Sequence, residues 1–591
     1  MNISIDTYVY MHTNMCEYKA NINALSFDGI IHAKKNNHNK AVSKFMFLGL
    51  LIFTWVSHAQ VSTPYQISGD MVTFGDAAFD MFQTLDLFQI SPDEQTVVYI
   101  ADQDTDGVNE LYSVGINGGL VTKLNSNLVA GGSVSSFEIS SDSQTVVYRA
   151  NQDTTKYSEL YKVPINGGLV TKLTPSKGFL GVSNYSISAD NQTVVYRGRV
   201  SASFDELFSV SLSTGFTSKL NGVLVAGGSV LNFSISADSQ RVVYLARQEN
   251  ANSQELYTVA MTGSDLQKLN PTLPAGGNVG FYQISDNSER VVYLAEQDTD
   301  NVLELYSVLI GGGATVKLNS TLIAGVNVGG YEISSDSQTV VYTAIQDTDG
   351  VLELYRVPIT DGVVVKINSP LFGNSDVTSF VLSDNSQRVV YRVRDSVKTE
   401  IYSASLSSGE PIKLNNTLIP GGSVKSFKIS TDSQKVVYVA DQDIEDVNEL
   451  YSVSIAGGNN TKLNPPFVIG GDEGISFMVN GGLTTITGTF RITADSQRVV
   501  YQADQDADGK AELYSVLMDG SEAIKLNDEL PFNSNVYDYV ISANDSYVVY
   551  IADQNEFGEV ELFAIEFSED EEDEMCFPIV TSNGNLAVIC L

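Results

Sequence analysis

Histidine and tryptophan are confined to the first 58 residues of this chain. The only tryptophan is Trp55, and the four histidines are His12, His32, His38 and His58. If this segment is removed after synthesis, the remaining chain contains no imidazole. Catalysis by Ser-His-Asp or Cys-His groups is then excluded, as are zinc sites that use histidine.

Long apolar runs are also scarce, and the clearest one lies in the same segment. The run from Phe45 to Val56 follows several lysines and precedes Ser57-His58-Ala59. A basic flank, an apolar stretch and small residues at the cleavage site are typical of a secretory signal. The run is shorter than the roughly 20 residues that a membrane span needs. We expect residues 1–59 to be a signal peptide with an upstream extension, and the mature chain to be periplasmic, outer-surface or extracellular without a transmembrane segment.

Basic residues are few. The chain has 34 Lys and Arg against 71 Asp and Glu, a formal net charge of −37. Such a charge disfavours nucleic acid and anionic lipid and attracts cations. We expect a protein or a surface polysaccharide as partner and no nucleic acid, although solubility in a salty exterior explains the acidity equally well.

The tripeptide Val-Val-Tyr recurs ten times. Its tyrosines are Tyr99, Tyr148, Tyr196, Tyr244, Tyr293, Tyr342, Tyr391, Tyr438, Tyr501 and Tyr550. The intervals are 47 to 49 residues, except for one of 63 between Tyr438 and Tyr501. A period in the forties that contains several short strands is typical of β-propeller blades.

One repeat shows the four strands of a blade, named a to d. Strand a begins at Phe137, strand b covers Thr145 to Arg149, strand c covers Glu159 to Ile165, and strand d covers Val170 to Leu173. Loops rich in Asp, Asn, Ser and Gly join them. No stretch has helical periodicity. The sequence therefore predicts an all-β protein, a β-propeller of about ten four-stranded blades over residues 60–567.

The last repeat lacks a strand d, so closure of the fold must come from elsewhere. The segment Val72 to Phe74 precedes Phe88 by the same distance at which Val121 precedes Phe137. We expect this N-terminal segment to complete the last blade and remove an exposed sheet edge. The result is either one ring of ten blades or two smaller rings, divided by the insertion between Pro465 and Gly488.

The repeat from Ile90 to Asn125 resembles the TolB-type propeller repeat. Both run from Ser-Pro-Asp through a short apolar strand, an acidic loop and a strand with Leu-Tyr to a glycine turn. The resemblance extends over residues 72–567 and implies a propeller. It implies no single function, because the family includes periplasmic scaffold proteins and the propeller halves of serine peptidases.

The loop between strands b and c carries acids at alternate positions. In the first repeat these are Asp102, Asp104 and Asp106, followed by Gly107 and then Glu110 at position nine. Alternate oxygens of a tight loop can surround Ca²⁺, which takes six to eight oxygen ligands, and glycine permits the turn. The pattern resembles the nine-residue calcium loops of integrin-type propellers. We expect Ca²⁺ here, although a solvated acidic turn is the alternative.

Other copies of the acidic loop vary. A second complete copy has Asp504, Asp506, Asp508 and Glu512. Two further copies lack the glycine but keep the acids. They have Asp298, Asp300 and Glu304 in one case, and Asp441, Asp443 and Glu449 in the other. Three loops have lost the pattern but keep the final glutamate, namely Glu206, Glu255 and Glu400. That survival predicts a structural role for this glutamate in strand c.

The C-terminus combines an acidic linker, residues 568–575, with a short apolar hairpin, residues 576–591. Counting outward from a turn at Ser582-Asn583-Gly584 pairs Cys576 with Cys590. An exported protein meets oxidising conditions, so we expect a disulfide between them. Two free thiols or a metal pair are the alternatives.

These observations favour a non-catalytic protein. No Gly-x-Ser-x-Gly elbow follows the repeats and no α/β domain is present to hold one. We expect an exported propeller scaffold or binding protein, stabilised by calcium, for protein–protein or cell-surface interaction. The alternative is a carboxylate-based enzyme that acts on extracellular glycans, since such enzymes need only Asp and Glu.

Overall fold

The computed structural model describes residues 60–69, 71, 87–175, 179–201, 204–323, 325–371, 373, 375–407, 410–467, 490–507, 509–568, 576–580 and 586–590. The regular elements of these residues are all β-strands, and none of them forms a helix long and apolar enough to cross a membrane. The predicted signal segment, most of the insertion after Pro465 and the acidic run of residues 569–574 lie outside the described residues.

Each repeat forms one antiparallel sheet with the strand order a-b-c-d. Strands a are Phe88–Ile90, Val134–Ile139, Val182–Ile187, Val230–Ile235, Val279–Ile284, Val328–Ile333, Asp376–Leu382, Val424–Ile429, Phe490–Ile492 and Val536–Ile541. Strands b are Thr96–Ala101, Thr145–Ala150, Thr193–Ser201, Arg241–Ala246, Arg290–Ala295, Thr339–Ala344, Arg388–Arg394, Lys435–Ala440, Arg498–Ala503 and Tyr547–Ala552.

The outer two strands of the blades follow the same order. Strands c are Glu110–Gly115, Glu159–Pro164, Phe204–Ser211, Glu255–Ala260, Glu304–Leu309, Glu353–Pro358, Thr399–Ser405, Glu449–Ser454, Glu512–Leu517 and Glu561–Ser568. Strands d of the first nine blades are Thr122–Lys123, Thr171–Lys172, Thr217–Lys219, Gln267–Lys268, Val316–Lys317, Val365–Lys366, Ile412–Lys413, Thr461–Lys462 and Ile524–Lys525. The prediction of ten four-stranded blades is confirmed.

The repeated tyrosine fixes the register between strands b and c. Tyr99 lies opposite Tyr112, and their rings stack with centroids 5.5 Å apart. All ten blades have this stacked aromatic pair, with Phe208 and Phe563 as the strand c partners in two of them. The two valines before each tyrosine are fully buried, so strand b is apolar on both faces. A strand of this kind must be covered on both sides.

The N-terminal segment completes the tenth blade, but not with the predicted residues. Gln60–Val61 and Tyr65–Gln66 both pair with Glu561–Ser568. Gln66 lies opposite Phe563 just as Lys123 lies opposite Tyr112 in the first blade. The prediction of Val72 to Phe74, which lie outside the described residues, is therefore wrong. It assumed a connection of constant length before strand a, and the connection to the first blade is longer.

The blades close into one ring. Each apolar cluster combines residues of two consecutive blades, as Val98 and Leu111 of blade 1 join Tyr148 and Val163 of blade 2. Such clusters link every blade to the next. The last of them packs Ile551 of blade 10 with Tyr99 of blade 1 and with Ile67. One ring of ten blades is confirmed, and the alternative of two smaller rings is excluded.

A second circle of contacts joins the turns between strands a and b. One residue in each turn is left-handed, with φ between 56° and 64°, namely Glu94, Ser143, Asn191, Ser239, Ser288, Ser337, Ser386, Ser433, Ser496 and Asp545. Its side chain accepts a hydrogen bond from a backbone N–H of the preceding blade. The N–H of Asn544 donates to Glu94 over 2.6 Å and completes the circle.

The C-terminal hairpin has the predicted register. Cys576–Val580 pairs antiparallel with Leu586–Cys590, and Cys576 lies opposite Cys590. The disulfide between them stays a prediction.

Ile67→Ala and Leu124→Ala form a matched test of ring closure. Both side chains are buried, and each lies just after strand d at the same place in its blade. Because either change leaves a cavity, we expect each to lower the free energy of unfolding by about 2–5 kcal/mol, measured by denaturant unfolding of the chain from residue 60. The exposed Leu120→Ala is the control and should change it by less than about 0.5 kcal/mol. An Ile67→Ala variant as stable as the parent would contradict closure by this segment.

Candidate functional site

A glutamate at or near the start of strand c is paired with a lysine of strand d in nine blades, and in eight of these it is buried. Glu110 lies at the end of the b–c loop, opposite Ala101, and its Oε1 contacts Lys123 Nζ. The same pair forms between Glu159 and Lys172, Glu206 and Lys219, Glu255 and Lys268, Glu304 and Lys317, Glu353 and Lys366, Glu400 and Lys413, Glu449 and Lys462, and Glu512 and Lys525. In the tenth blade Gln66 Nε2 donates to Glu561 Oε1 over 2.7 Å.

In eight blades the strand c tyrosine also donates its hydroxyl to this glutamate. Tyr355 Oη donates to Glu353 Oε2 over 2.9 Å, and burial together with the carboxylate raises the pKa of Tyr355. Burial lowers the pKa of Lys268, but the hydrogen bonds and charges of Glu255 and Glu249 outweigh it and raise this pKa overall. The structural role expected for the final glutamate of the loop is confirmed.

The acid at position three of the loop shares the same lysine. Asp104 Oδ2 is 3.3 Å from Lys123 Nζ, and the Asp104 side chain is 51% exposed. The same arrangement recurs where this acid is Asp153, Glu249 or Asp298, at 3.0 to 3.2 Å from its lysine. The ammonium group therefore lies between two carboxylates, in the role that a bound cation would otherwise have.

The acid at position one joins two loops. Asp102 Oδ2 accepts the N–H of Gly107 over 2.8 Å within its own loop. Asp553 accepts both the N–H of Gly558 and, over 2.7 Å, the N–H of Asn535 in the loop between strands d and a. Bonds of this kind place the b–c and d–a loops on one face of the ring.

A glutamine at position two was missed by the sequence analysis. Gln103 Oε1 accepts the buried hydroxyl of Tyr99 over 2.7 Å and the N–H of Gly69, which follows the closing strand, over 3.1 Å. Equivalent bonds to the strand b tyrosine are made by Gln152, Gln248, Gln297, Gln346, Gln442, Gln505 and Gln554. A glutamine four residues after a buried tyrosine in eight repeats was the available signal.

The predicted calcium ligands are neighbours in sequence but do not converge. Within the part of the chain that the structure describes, no three Cys, Asp, Glu or His side chains are grouped so that they could hold a metal ion. In the first loop, Asp102 bonds to backbone, Asp104 and Glu110 share Lys123, and Asp106 is exposed. A four-carboxylate calcium site does not fit while the lysine holds two of its members.

The other predicted loops divide their acids in the same way. Asp298 and Glu304 share Lys317, and the exposed Asp300 accepts a hydrogen bond from Asn301 Nδ2 over 2.8 Å. In the eighth blade, Asp441 accepts the N–H of Ser423, Asp443 accepts the hydroxyl of Tyr451 over 3.0 Å, and Glu449 pairs with Lys462. In the ninth blade, Glu512 pairs with Lys525 and Asp504 is buried. Asp506 lies within hydrogen-bond reach of the Tyr514 hydroxyl. Asp508 lies outside the described residues.

No known protein family and no curated protein matches the chain. Among solved structures it is similar to a prolyl endopeptidase, with 12% identity, a TM-score of 0.34 and coverage of 66% of this chain and 55% of the other. It is also similar to Porphyromonas gingivalis dipeptidyl peptidase 4, with 13% identity, a TM-score of 0.43 and coverage of 64% and 59%.

A third similar structure is a putative TolB from Agrobacterium tumefaciens, with 16% identity, a TM-score of 0.26 and coverage of 39% of this chain and 78% of the other. The chain covers 55% of the prolyl endopeptidase and 59% of the dipeptidyl peptidase, which is less than two thirds of the length of either peptidase. The β-propeller fold itself rests on the strand pairing of the ten blades.

Lys366→Met tests the glutamate–lysine pair. The change leaves the Glu353 carboxylate, 2% exposed, without its cation, and we expect the free energy of unfolding to fall by about 1–3 kcal/mol. Adding Glu353→Gln should recover part of that loss, because a neutral amide needs no counter-ion. The measurement is denaturant unfolding of the single and double variants, with the exposed Lys156→Met as control. A double variant no more stable than Lys366→Met would argue against the pair.

Proposed function

We propose that this protein is an exported, non-catalytic propeller scaffold that binds a protein or a surface polysaccharide through the face formed by its b–c loops. The observation that carries the proposal is that the acids at position three of the b–c loop are exposed in several repeats. They lie above the glutamate–lysine pairs of strands c and d, which we call the frame. Asp104, Asp298 and Asp347 are each 51% exposed, while the glutamate beneath each of them is buried and paired. Binding residues are concentrated on loops held by a rigid scaffold.

The absence of histidine from residues 60–591 supports a binding role over catalysis. The glutamates near the start of strand c could act as acid–base groups, but nine of them pair with a lysine and eight also accept a tyrosine hydroxyl. The remaining enzymatic alternative, a carboxylate pair that cleaves glycans, would need two acids that stand apart from this repeated pattern.

The binding proposal can be tested by neutralising loop acids. In Asp104→Asn, Asp298→Asn and Asp347→Asn combined, we expect binding to a panel of cationic proteins and polysaccharides, measured by biolayer interferometry, to weaken at least tenfold. The glutamates and lysines of the frame stay in place, so the melting temperature should change little.

The matched control removes three exposed acids elsewhere, with Asp361→Asn, Glu410→Gln and Asp519→Asn. Equal loss of binding in both variants would show only a net-charge effect and would contradict a specific face. Turnover of any glycan in the panel, followed by release of reducing ends, would overturn the non-catalytic part of the proposal.

Calcium is the second part of the proposal, at the loops that begin at Asp102 and Asp504. Gly107 is left-handed with φ of 71°, and its bond to Asp102 curls the first loop so that Asp106 stays exposed. Exposed carboxylates and loop carbonyls are ligands that Ca²⁺ accepts. Because Lys123 already neutralises Glu110, the ion would be held without that glutamate.

We expect EDTA to lower the melting temperature by a few degrees and added CaCl₂ to restore it, since a ligand of the native state stabilises that state. The variant Asp102→Asn with Asp504→Asn should lose this response, whereas Asp265→Asn in a c–d turn should keep it. A melting temperature that neither EDTA nor calcium moves would remove calcium from the proposal and leave the scaffold role intact.

A further inference from the structure

The ten strands a form the innermost layer of the ring. Side chains of one strand a reach the backbone of the next, as Glu138 Oε1 accepts the N–H of Ile187 over 3.1 Å and Glu332 Oε2 accepts that of Leu382 over 3.2 Å. These strands therefore line the central channel. In each strand a, one residue lies between an aromatic residue and the Ile or Leu that follows. We call this residue the channel position.

The channel position varies in charge and polarity from blade to blade. Its residues in blade order are Gln89, Glu138, Ser186, Ser234, Gln283, Glu332, Val381, Lys428, Arg491 and Val540. The two acids lie in blades 2 and 6, and both bind backbone. The two cations lie side by side in blades 8 and 9. Two adjacent cations are unexpected in a chain of net charge −37.

Lys428 differs from the strand d lysines in its partners. Its Nζ donates to the carbonyl of Phe490 over 2.8 Å and lies 5.3 Å from the centre of that ring. Every strand d lysine has a glutamate partner, whereas none of the described carboxylates lies within ion-pair distance of Lys428 Nζ.

Arg491 lies beside Lys428 and is only weakly compensated. Its guanidinium group lies over the Tyr539 ring at 5.4 Å, and its ion pair with Asp538 is long, at 3.9 Å. Both cationic side chains are exposed to the channel. The channel wall desolvates Lys428 and lowers its pKa, and the positive charge of Arg491 lowers it further. The two cations repel each other, and an anion between them would relieve that repulsion.

A cavity of about 650 Å³ opens at this place, at the end of the channel formed by the a–b turns. Strands a of blades 8, 9, 10 and 1 line it, with Lys428 and Arg491 beside the apolar side chains of Ile429, Ile492 and Ile541. The one acid in its lining, Asp545, accepts the N–H groups of Ala494 and Asp495 over 2.8 and 2.7 Å. The volume is that of a small-molecule site.

We propose that this cavity binds a small organic carboxylate, with the carboxylate group between Lys428 and Arg491 and the apolar body against Ile429, Ile492 and Ile541. Guanidinium and ammonium groups form charge-assisted hydrogen bonds to carboxylates, and arginine can do so in a bidentate manner. The isoleucines favour an apolar body over a fully hydrated inorganic anion. This site is on the opposite face from the b–c loops and does not depend on their function.

Isothermal titration of the chain from residue 60 with sodium benzoate tests the proposal. We expect saturable binding that Lys428→Gln and Arg491→Gln each weaken about tenfold or more. Benzyl alcohol, which keeps the ring and lacks the charge, should not bind. Inorganic phosphate should bind more weakly than benzoate, since it has no apolar body.

Two further variants keep the result interpretable. Gln89→Glu places a carboxylate in the cavity lining with little change of volume and should weaken benzoate binding, even if Lys428→Gln perturbs the Phe490 contact. Lys156→Gln removes an exposed lysine of a b–c loop and should leave binding unchanged. No saturable benzoate binding, equal binding in the Lys428→Gln, Arg491→Gln double variant, or tighter binding of phosphate than of benzoate would each overturn the proposal.

Discussion

Each blade of this protein is apolar on both faces, and it can bury those faces only against its neighbours. The clusters reflect this directly, because none is confined to one repeat: Val243 and Leu256 of one blade pack with Tyr293 and Tyr306 of the next. A blade at the end of an open row would expose valine and tyrosine side chains that contribute roughly 1.5–3 kcal/mol each when buried. The ring must therefore close, and a segment of seven residues from the N-terminus, Gln60 to Gln66, supplies the strands that close it.

Closure also explains the turns between strands a and b. A left-handed conformation costs a residue other than glycine about 1 kcal/mol or more. Ten such residues persist because the side chain of each, such as Ser143 or Ser239, is thereby aimed at an N–H of the preceding blade. The inter-blade bond offsets the local strain, and it repeats at every junction. The turns therefore help to set the angle between blades, in addition to reversing the chain.

The strands and the number of blades could be predicted because they depend on local patterns. Val-Val-Tyr in each repeat indicates a strand buried on both faces, and the spacing indicates one blade per repeat. Closure depends on a longer-range match. Tyr65-Gln66-Ile67-Ser68 takes the place of Thr122-Lys123-Leu124-Asn125, and Ser68 Oγ accepts the N–H of Leu562 as Asn125 Oδ1 accepts that of Leu111. No residue is identical between the two segments, although both have an aliphatic residue at the third place, so a count of residues back from Phe88 selected the wrong place.

The acidic loop shows a different limit of sequence reasoning. Acids at positions one, three and nine suit a divalent cation, and they suit a lysine ammonium group equally well. What decides is the register of strand d, which places Lys123 opposite Tyr112 and hence next to Glu110. The lysine stands thirteen residues after the glutamate in all nine of these repeats. That constant spacing was the available evidence that the two side chains are partners, but only strand pairing gives it a meaning.

Because the chain contains ten copies of one unit, residues that every blade needs for its structure can be recognised by their recurrence. Residues that vary from blade to blade do not have that shared structural task. The stacked aromatic pair, the glutamate–lysine pair and the left-handed turn recur around the ring because each blade needs them for the same contacts. The channel position has no such repeated task, and it varies from Ser186 to Val540. Where it carries glutamate, the carboxylate is used on the backbone of the next blade. Lys428 contacts backbone in the same way, but Arg491 beside it brings a second positive charge that no packing requirement of the repeat explains. Departures from the repeat are therefore the places where a function is expected, and this pair of cations is one of them.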